Sequence, residues 1–137
     1  MQVLIIEDEM PAANRLAKLL QNISDEITVV NRLDSVEASV QFLQSAKGID
    51  LIFMDIQLAD GLSFDIFQHT TITTPVIFTT AFDQYTLKAF KVNSIDYLLK
   101  PIDGKELQQA VEKYRQLYNR NDNGFSEKIL KMVQEMN

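Results

Sequence analysis

The chain contains no cysteine, which excludes a disulfide framework, a zinc–thiolate centre, an iron–sulfur cluster and a thiol nucleophile. Glycine and proline are also scarce, at 4 and 3 residues, and no tract is of low complexity, so the composition is not that of a fibrous or disordered chain. Positive charge is in deficit, with 13 basic against 19 acidic residues and a formal charge of −6. Such a balance repels phosphate backbones and argues against binding DNA or an anionic membrane through this chain alone. No uncharged apolar run reaches the ~18 residues of a membrane span, and no basic leader with a cleavage site precedes the first apolar run. The expectation is a cytoplasmic, soluble protein. What is present suits one compact domain: 137 residues, 46% of them hydrophobic and 23% charged.

Apolar periodicity alternates between short runs and helical stripes, the pattern of βα units around a parallel sheet. Val3 to Ile6, Ile27 to Leu33, Leu51 to Met54, Val76 to Thr79 and Tyr97 to Leu99 read as strands covered on both faces. Between them, Ala12, Leu16, Leu19, Leu20 and Ile23 form one helical stripe with Pro11 in its first turn. Val36, Val40 and Leu43 form a second, capped by Asp34 or Ser35, with Glu37 placed for a capping box from Asp34. A third helix is expected over Leu62 to Gln68 and a fourth over Gln84 to Val92. The fifth carries Leu107, Ala110, Val111, Tyr114, Leu117 and Tyr118 on one stripe after a cap at Asp103. The polar string Asn119 to Gly124 reads as a linker. After it, Phe125, Ile129, Met132, Val133 and Met136 share one face of an amphipathic tail helix. The remaining Met and Phe positions read as core.

In an open α/β sheet, ligands bind at the carboxyl ends of the strands, where the strand order reverses. Here those ends carry Glu7-Asp8-Glu9, Asp55, Thr79-Thr80 and Lys100-Pro101. Carboxylates converging on one crevice repel each other unless a cation lies among them, and hard oxygen donors suit Mg²⁺. A strand-end carboxylate beside a metal, a hydroxyl and a lysine is what phosphoryl transfer to a carboxylate needs, with Asp55 as nucleophile. The plainer reading of acids near helix N-termini, complementing the macrodipole, is preferred for Glu9. His69, the single histidine, reads as a solvated residue at a helix end.

The strings VLIIEDE, DLIFMDIQLADGLS, PVIFTTAFDQYTLKAF and DYLLKPI, in that order, resemble the receiver domain of bacterial two-component response regulators. The likeness runs from Met1 to about Tyr118. It implies a flavodoxin-like (βα)5 fold, with a doubly wound parallel sheet of order 2-1-3-4-5. It further implies Glu7 and Asp8 as metal-binding acids and Asp55 as phosphoacceptor and metal ligand. Gln57 would add its backbone carbonyl to the metal, Thr80 would be the switch hydroxyl, Tyr97 the switch aromatic and Lys100 the phosphoryl-contacting lysine. A cis Lys100–Pro101 peptide belongs to the same pattern. Two positions depart from it: Glu7 stands where Asp is commoner, and Ala59 where Pro is usual.

The stretch TTAFDQYTLKAFKVNSIDYLLKPI resembles the receivers attached to LytTR-type DNA-binding domains, whose β-rich output domain has no room in this chain. The expected division is a receiver over residues 1–118 and a linker with tail helix over 119–137. The expected partners are a sensor histidine kinase and a second copy of the chain upon activation, with DNA reached only through the absent domain and no membrane contact. The chain is expected to be a regulatory phosphoacceptor rather than an enzyme. A haloacid-dehalogenase-like phosphohydrolase lacks support because Gln57 stands where its general acid would be. A flavodoxin-like FMN module would place a phosphate against Glu7-Asp8-Glu9, which would repel it. A receiver-like interaction domain that takes no phosphate is the remaining alternative.

Overall fold

The computed structural model describes residues 1–81 and 94–118. Expectations for a helix over 84–92, the linker at 119–124 and the tail stripe from Phe125 to Met136 lie outside them. Five parallel strands form the central sheet: β1 (Gln2–Ile6), β2 (Thr28–Leu33), β3 (Leu51–Asp55), β6 (Val76–Thr80) and β7 (Ser94–Leu99). Their order is β2-β1-β3-β6-β7, the expected 2-1-3-4-5 once the strands of the main sheet are counted alone. The final strand begins at Ser94, earlier than Tyr97, because Ser94 and Asp96 still pair with Val76 and Ile77, across a register shift that leaves Ile95 and Tyr97 on opposite sides of the sheet.

Strand side chains alternate between faces, and here the alternation builds two cores. Val3, Ile5, Leu51, Phe53, Ile77 and Ile95 meet α1 (Met10–Ile23) and α4 (Gly104–Tyr118). On the other face Leu4, Ile6, Ile52, Met54, Val76 and Phe78 meet α2 (Val36–Ser45) and α3 (Ile66–His69). The three central strands β1, β3 and β6 are almost wholly buried and hence nearly continuous in apolar residues. Each fully buried Leu, Ile or Phe contributes about 1.5–3 kcal/mol of transfer free energy.

Several local expectations shift. The face that α1 buries is centred on Ala13, Leu16, Ala17 and Leu20, with Leu19 and Ile23 at its margin. On α4, Leu117 lies off the packed stripe and is exposed, whereas Tyr118 stacks on Tyr114 with ring centroids 5.5 Å apart. Met10 is not core: it is 68% exposed at the start of α1. A third helix from Leu62 does not form as expected. A small antiparallel hairpin of β4 (Gln57–Leu58) and β5 (Gly61–Leu62) comes first, then a 3₁₀ turn at Ser63–Asp65, then α3. Asp60-Gly61 supplies the turn chemistry, with Gly61 at φ 146°, a conformation disfavoured for residues with a Cβ.

At α2 the N-cap is Ser35, whose hydroxyl accepts from the Ala38 amide at 3.0 Å. That places Glu37 one position too early for a capping box, so the Asp34–Glu37 box is not made. Asp103 precedes α4, and its carbonyl accepts from the Leu107 amide at 3.0 Å, as a residue at that boundary should.

Candidate functional site

The parallel sheet brings the ends of β1, β3, β6 and β7 to one edge, where the apolar runs stop and polar residues begin. Asp55 closes β3, buried to 6% exposure, and its Oδ1 accepts from the Gln57 amide at 3.3 Å. Glu7 follows β1 at 7% exposure; its own amide donates to the Leu33 carbonyl, and its Oε2 accepts from the Glu9 amide at 3.3 Å. Asp8 beside it is exposed. One carboxylate oxygen from each of Glu7, Asp8 and Asp55 lies within 4.8 Å of the others.

Lys100 enters this group from the end of β7. Its Nζ donates to Asp55 Oδ2 at 2.9 Å and is ion-paired and hydrogen-bonded to Glu7 Oε1. Two neighbouring contacts hold the lysine's backbone: its amide donates to the Thr80 carbonyl at 2.7 Å, and Arg15 Nη2 on α1 donates to the Ile102 carbonyl at 3.0 Å. The Lys100–Pro101 peptide between these anchors is cis, as the family resemblance implies.

The charges are strongly unbalanced toward the acids. Burial, a hydrogen bond with Asp55 and the repulsion of its carboxylate push the Glu7 carboxyl up from 4.5 to about 7, with Lys100 partly opposing them. For Lys100, burial works against the charged form, but hydrogen bonds and attraction from Glu7 and Asp55 outweigh it and hold the ammonium above its usual range. A cluster of hard carboxylate oxygens with a surplus of negative charge fits a divalent cation such as Mg²⁺.

Lys100 also stands between two hollows. The first, about 280 Å³, is a crevice bordered by Asp8, Asp55, Gln57, Thr80, Ala81 and Lys100 among others. The second, about 310 Å³, lies toward α1 and is lined by Glu7, Arg15, Leu16, Thr79, Pro101 and Ile102 among others. Of the two adjacent acids, Asp8 therefore borders the crevice beside Asp55 while Glu7 borders the hollow toward α1.

The sequence-predicted residues divide accordingly. Glu7, Asp8, Asp55 and Lys100 converge directly, and Gln57 and Thr80 border the same crevice, Thr80 at 1% exposure. Tyr97 is set apart from it: on β7 it is half-buried and packs on the α2/α3 side of the sheet. Thr80 has the same strand parity as Val76 and Phe78, so Thr80 and Tyr97 belong to the same side. Glu9 borders the crevice as the N-cap residue of α1 without a side-chain cap bond, and His69 is exposed at the end of α3. Sequence reasoning overlooked Asp60. From the hairpin turn its Oδ1 accepts from the Val36 amide at 2.7 Å and its Oδ2 from the Glu37 amide at 3.1 Å. The Asp-Gly pair announced the turn, but nothing local could announce a bond to a helix 24 residues earlier.

The family description "Response regulator receiver domain" matches residues 3–112. Among curated proteins, the sensory transduction protein LytT of Bacillus subtilis is 38% identical over 120 residues, covering 85% of this chain and 49% of its own length. The transcriptional regulatory protein LytR of Staphylococcus aureus is 36% identical over 129 residues, covering 92% of this chain and 52% of its own. This chain thus spans about half the length of the curated relatives it matches. Among solved structures, the response regulatory domain of protein mrkE from Klebsiella pneumoniae superimposes with a TM-score of 0.71 at 30% identity, over 83% of this chain and 94% of that one. The N-terminal domain of a response regulator/sensory box/GGDEF 3-domain protein from Carboxydothermus hydrogenoformans gives 0.72 at 28%, over 88% and 98%.

Proposed function

From the premise that this chain belongs to the response regulator receiver domain family, we propose that it is a phosphorylation-controlled switch with Asp55 as phosphoacceptor. The observation that carries this reading is the placement of Asp55, buried, in the wall of the strand-end crevice, with Lys100 Nζ 2.9 Å from its carboxylate and the Glu7 and Asp8 oxygens beside it. The phosphodonor is a sensor histidine kinase or a small acyl phosphate. An Asp55 carboxylate oxygen forms a bond to phosphorus, the donor's P–N or P–O bond breaks, and its electron pair leaves with the donor's nitrogen or oxygen. The product is an acyl phosphate on Asp55.

Glu7, Asp8, Asp55 and the Gln57 carbonyl are the groups that would hold Mg²⁺, which supplies Lewis-acid neutralisation of charge on the phosphoryl oxygens. Lys100 is released from its pairing with Asp55 Oδ2 as the phosphoryl group is added, and its ammonium then turns to the new oxygens. The incoming charge is about −1.5 to −2, by analogy with hydroxyl phosphorylation. Thr80 donates its hydroxyl to the phosphoryl group, and Tyr97 on the same side of the sheet follows into the space vacated. A population shift from 1:99 to 99:1 takes about 5.5 kcal/mol of differential binding. The surface that responds includes β7 and α4, and its output is pairing with a second copy of the chain.

Control of transcription through a LytTR-type DNA-binding domain completes the proposal, with residues 1–118 as the receiver and 119–137 as linker and tail helix. The LytT and LytR names of the relatives support it. Intact-mass spectrometry with acetyl phosphate tests the central claim. One phosphoryl adduct is expected, requiring Mg²⁺ and absent in Asp55→Asn. An adduct that persists in Asp55→Asn overturns the assignment of the acceptor. Failure of the wild type to take either a phosphoryl group or beryllofluoride favours the interaction-only alternative.

A further inference from the structure

The segment joining Asp55 to α3 lacks the proline that the family usually places at position 59, so some other device must hold it. Ile56 is fully buried and its amide donates to the Thr79 carbonyl at 3.2 Å. The Ser63 amide returns to the Ile56 carbonyl at 2.8 Å, and Gln57 and Leu58 pair with Leu62 and Gly61. These contacts close the hairpin on itself and on β6 but leave its outer end without an anchor to another layer. Asp60 supplies that anchor. Its two carboxylate oxygens take the Val36 and Glu37 amides at 2.7 and 3.1 Å, two of the first-turn donors that a helix leaves unsatisfied. Ser35 satisfies only the next, that of Ala38. The bond from Val36, reinforced by that from Glu37, holds the Asp60 carboxyl below its ordinary pKa.

We propose that Asp60 is a positioning residue of the acceptor site: by clamping the tip of the β4–β5 hairpin to the first turn of α2, it holds Gln57 against Asp55 and takes over the preorganising role of the missing proline. Its consequence for metal binding rests on the phosphoacceptor reading above; the clamp itself does not. The turn geometry agrees with the substitution of one device for the other. Neither Ala59 nor Asp60 has positive φ, so position 59 lies outside the left-handed region that would bar proline there.

The experiment follows amide hydrogen exchange at Gln57 and Ser63 by NMR in the metal-free protein, together with Mg²⁺ affinity. Asp60→Ala is expected to speed exchange at both amides at least about tenfold and to weaken Mg²⁺ binding by roughly tenfold. Asp60→Asn, which keeps one acceptor oxygen, falls between it and the wild type. Ser35→Ala removes a cap from the same helix without touching the hairpin, so it is expected to lower stability while leaving both readouts at wild-type values. Adding Ala59→Pro to Asp60→Ala is expected to restore them. Unchanged exchange in Asp60→Ala, or equal loosening of the hairpin by Ser35→Ala, overturns the proposal. If the wild type takes no phosphoryl group, the phosphoacceptor reading falls while the exchange data still decide the clamp.

Discussion

At Glu7 a carboxyl held at about pKa 7 meets a lysine whose charge the same carboxylates reinforce. A folded-state pKa above the unfolded value means that folding is favoured by the protonated form. The contribution of Glu7 to stability is therefore full below about 4.5 and is lost as pH rises to about 7, with a limiting slope of about 1.4 kcal/mol per pH unit for one proton. Urea unfolding of the Mg²⁺-free protein across this window is expected to show the decline, and Glu7→Gln to remove it. Lys100 has the same sign at the alkaline end: its contribution is present below 10.5 and lost as pH rises through its higher folded value. Replacing Lys100 by Met removes the group that opposes the upward shift of Glu7, so an NMR titration of that variant is expected to place the Glu7 midpoint above that of the wild type. These residues were legible as types at strand ends. Their burial was not, because Glu7 and Asp8 are neighbours in sequence yet one is buried and the other exposed.

Among the elements, the hairpin after β3 departs furthest from sequence expectation. Apolar spacing from Leu62 onward suggested a helix, but the pairing of Gln57 with Leu62 draws that residue into a strand and delays α3 to Ile66. Gly61 makes the pairing possible at φ 146°, and a Cβ there would also lie 3.4 Å from Asp65 Oδ2. Gly61→Ala is thus expected to lower stability by about 1–3 kcal/mol in urea titration, the cost of a residue forced into sparsely populated backbone space. A wild-type midpoint would show that the turn relaxes at no expense. By contrast, α1, α2 and α4 were readable from their stripes, because a 3.6-residue period records a single buried face wherever that face lies. The stripe blurs at its edges, which is why Leu117 fell outside it and Met10, at the start of α1, outside the core.

For the molecule as a whole, the parallel sheet concentrates acids at one edge of a chain already carrying a net charge of −6. A cation that binds the folded form alone stabilises it by mass action, about 2.7 kcal/mol at a hundred times its dissociation constant. Mg²⁺ is expected to raise the thermal midpoint of the wild type and to do so much less in Asp8→Ala, read by calorimetry at fixed ionic strength so that general screening does not contribute. Equal shifts in both proteins would remove Asp8 from the metal site.

The sequence by itself determined the βα alternation and the edge at which polar residues gather, because buried parallel strands must be continuously apolar and their first polar residues mark where the sheet ends; the strand order was implied only by the resemblance to receiver domains. Tertiary structure alone decided that Lys100 pairs with both Glu7 and Asp55 and that Asp60 caps α2 across 24 residues. Those contacts join residues far apart along the chain, and the pairing of β1, β3, β6 and β7, with α2 packed against the sheet, sets their distances.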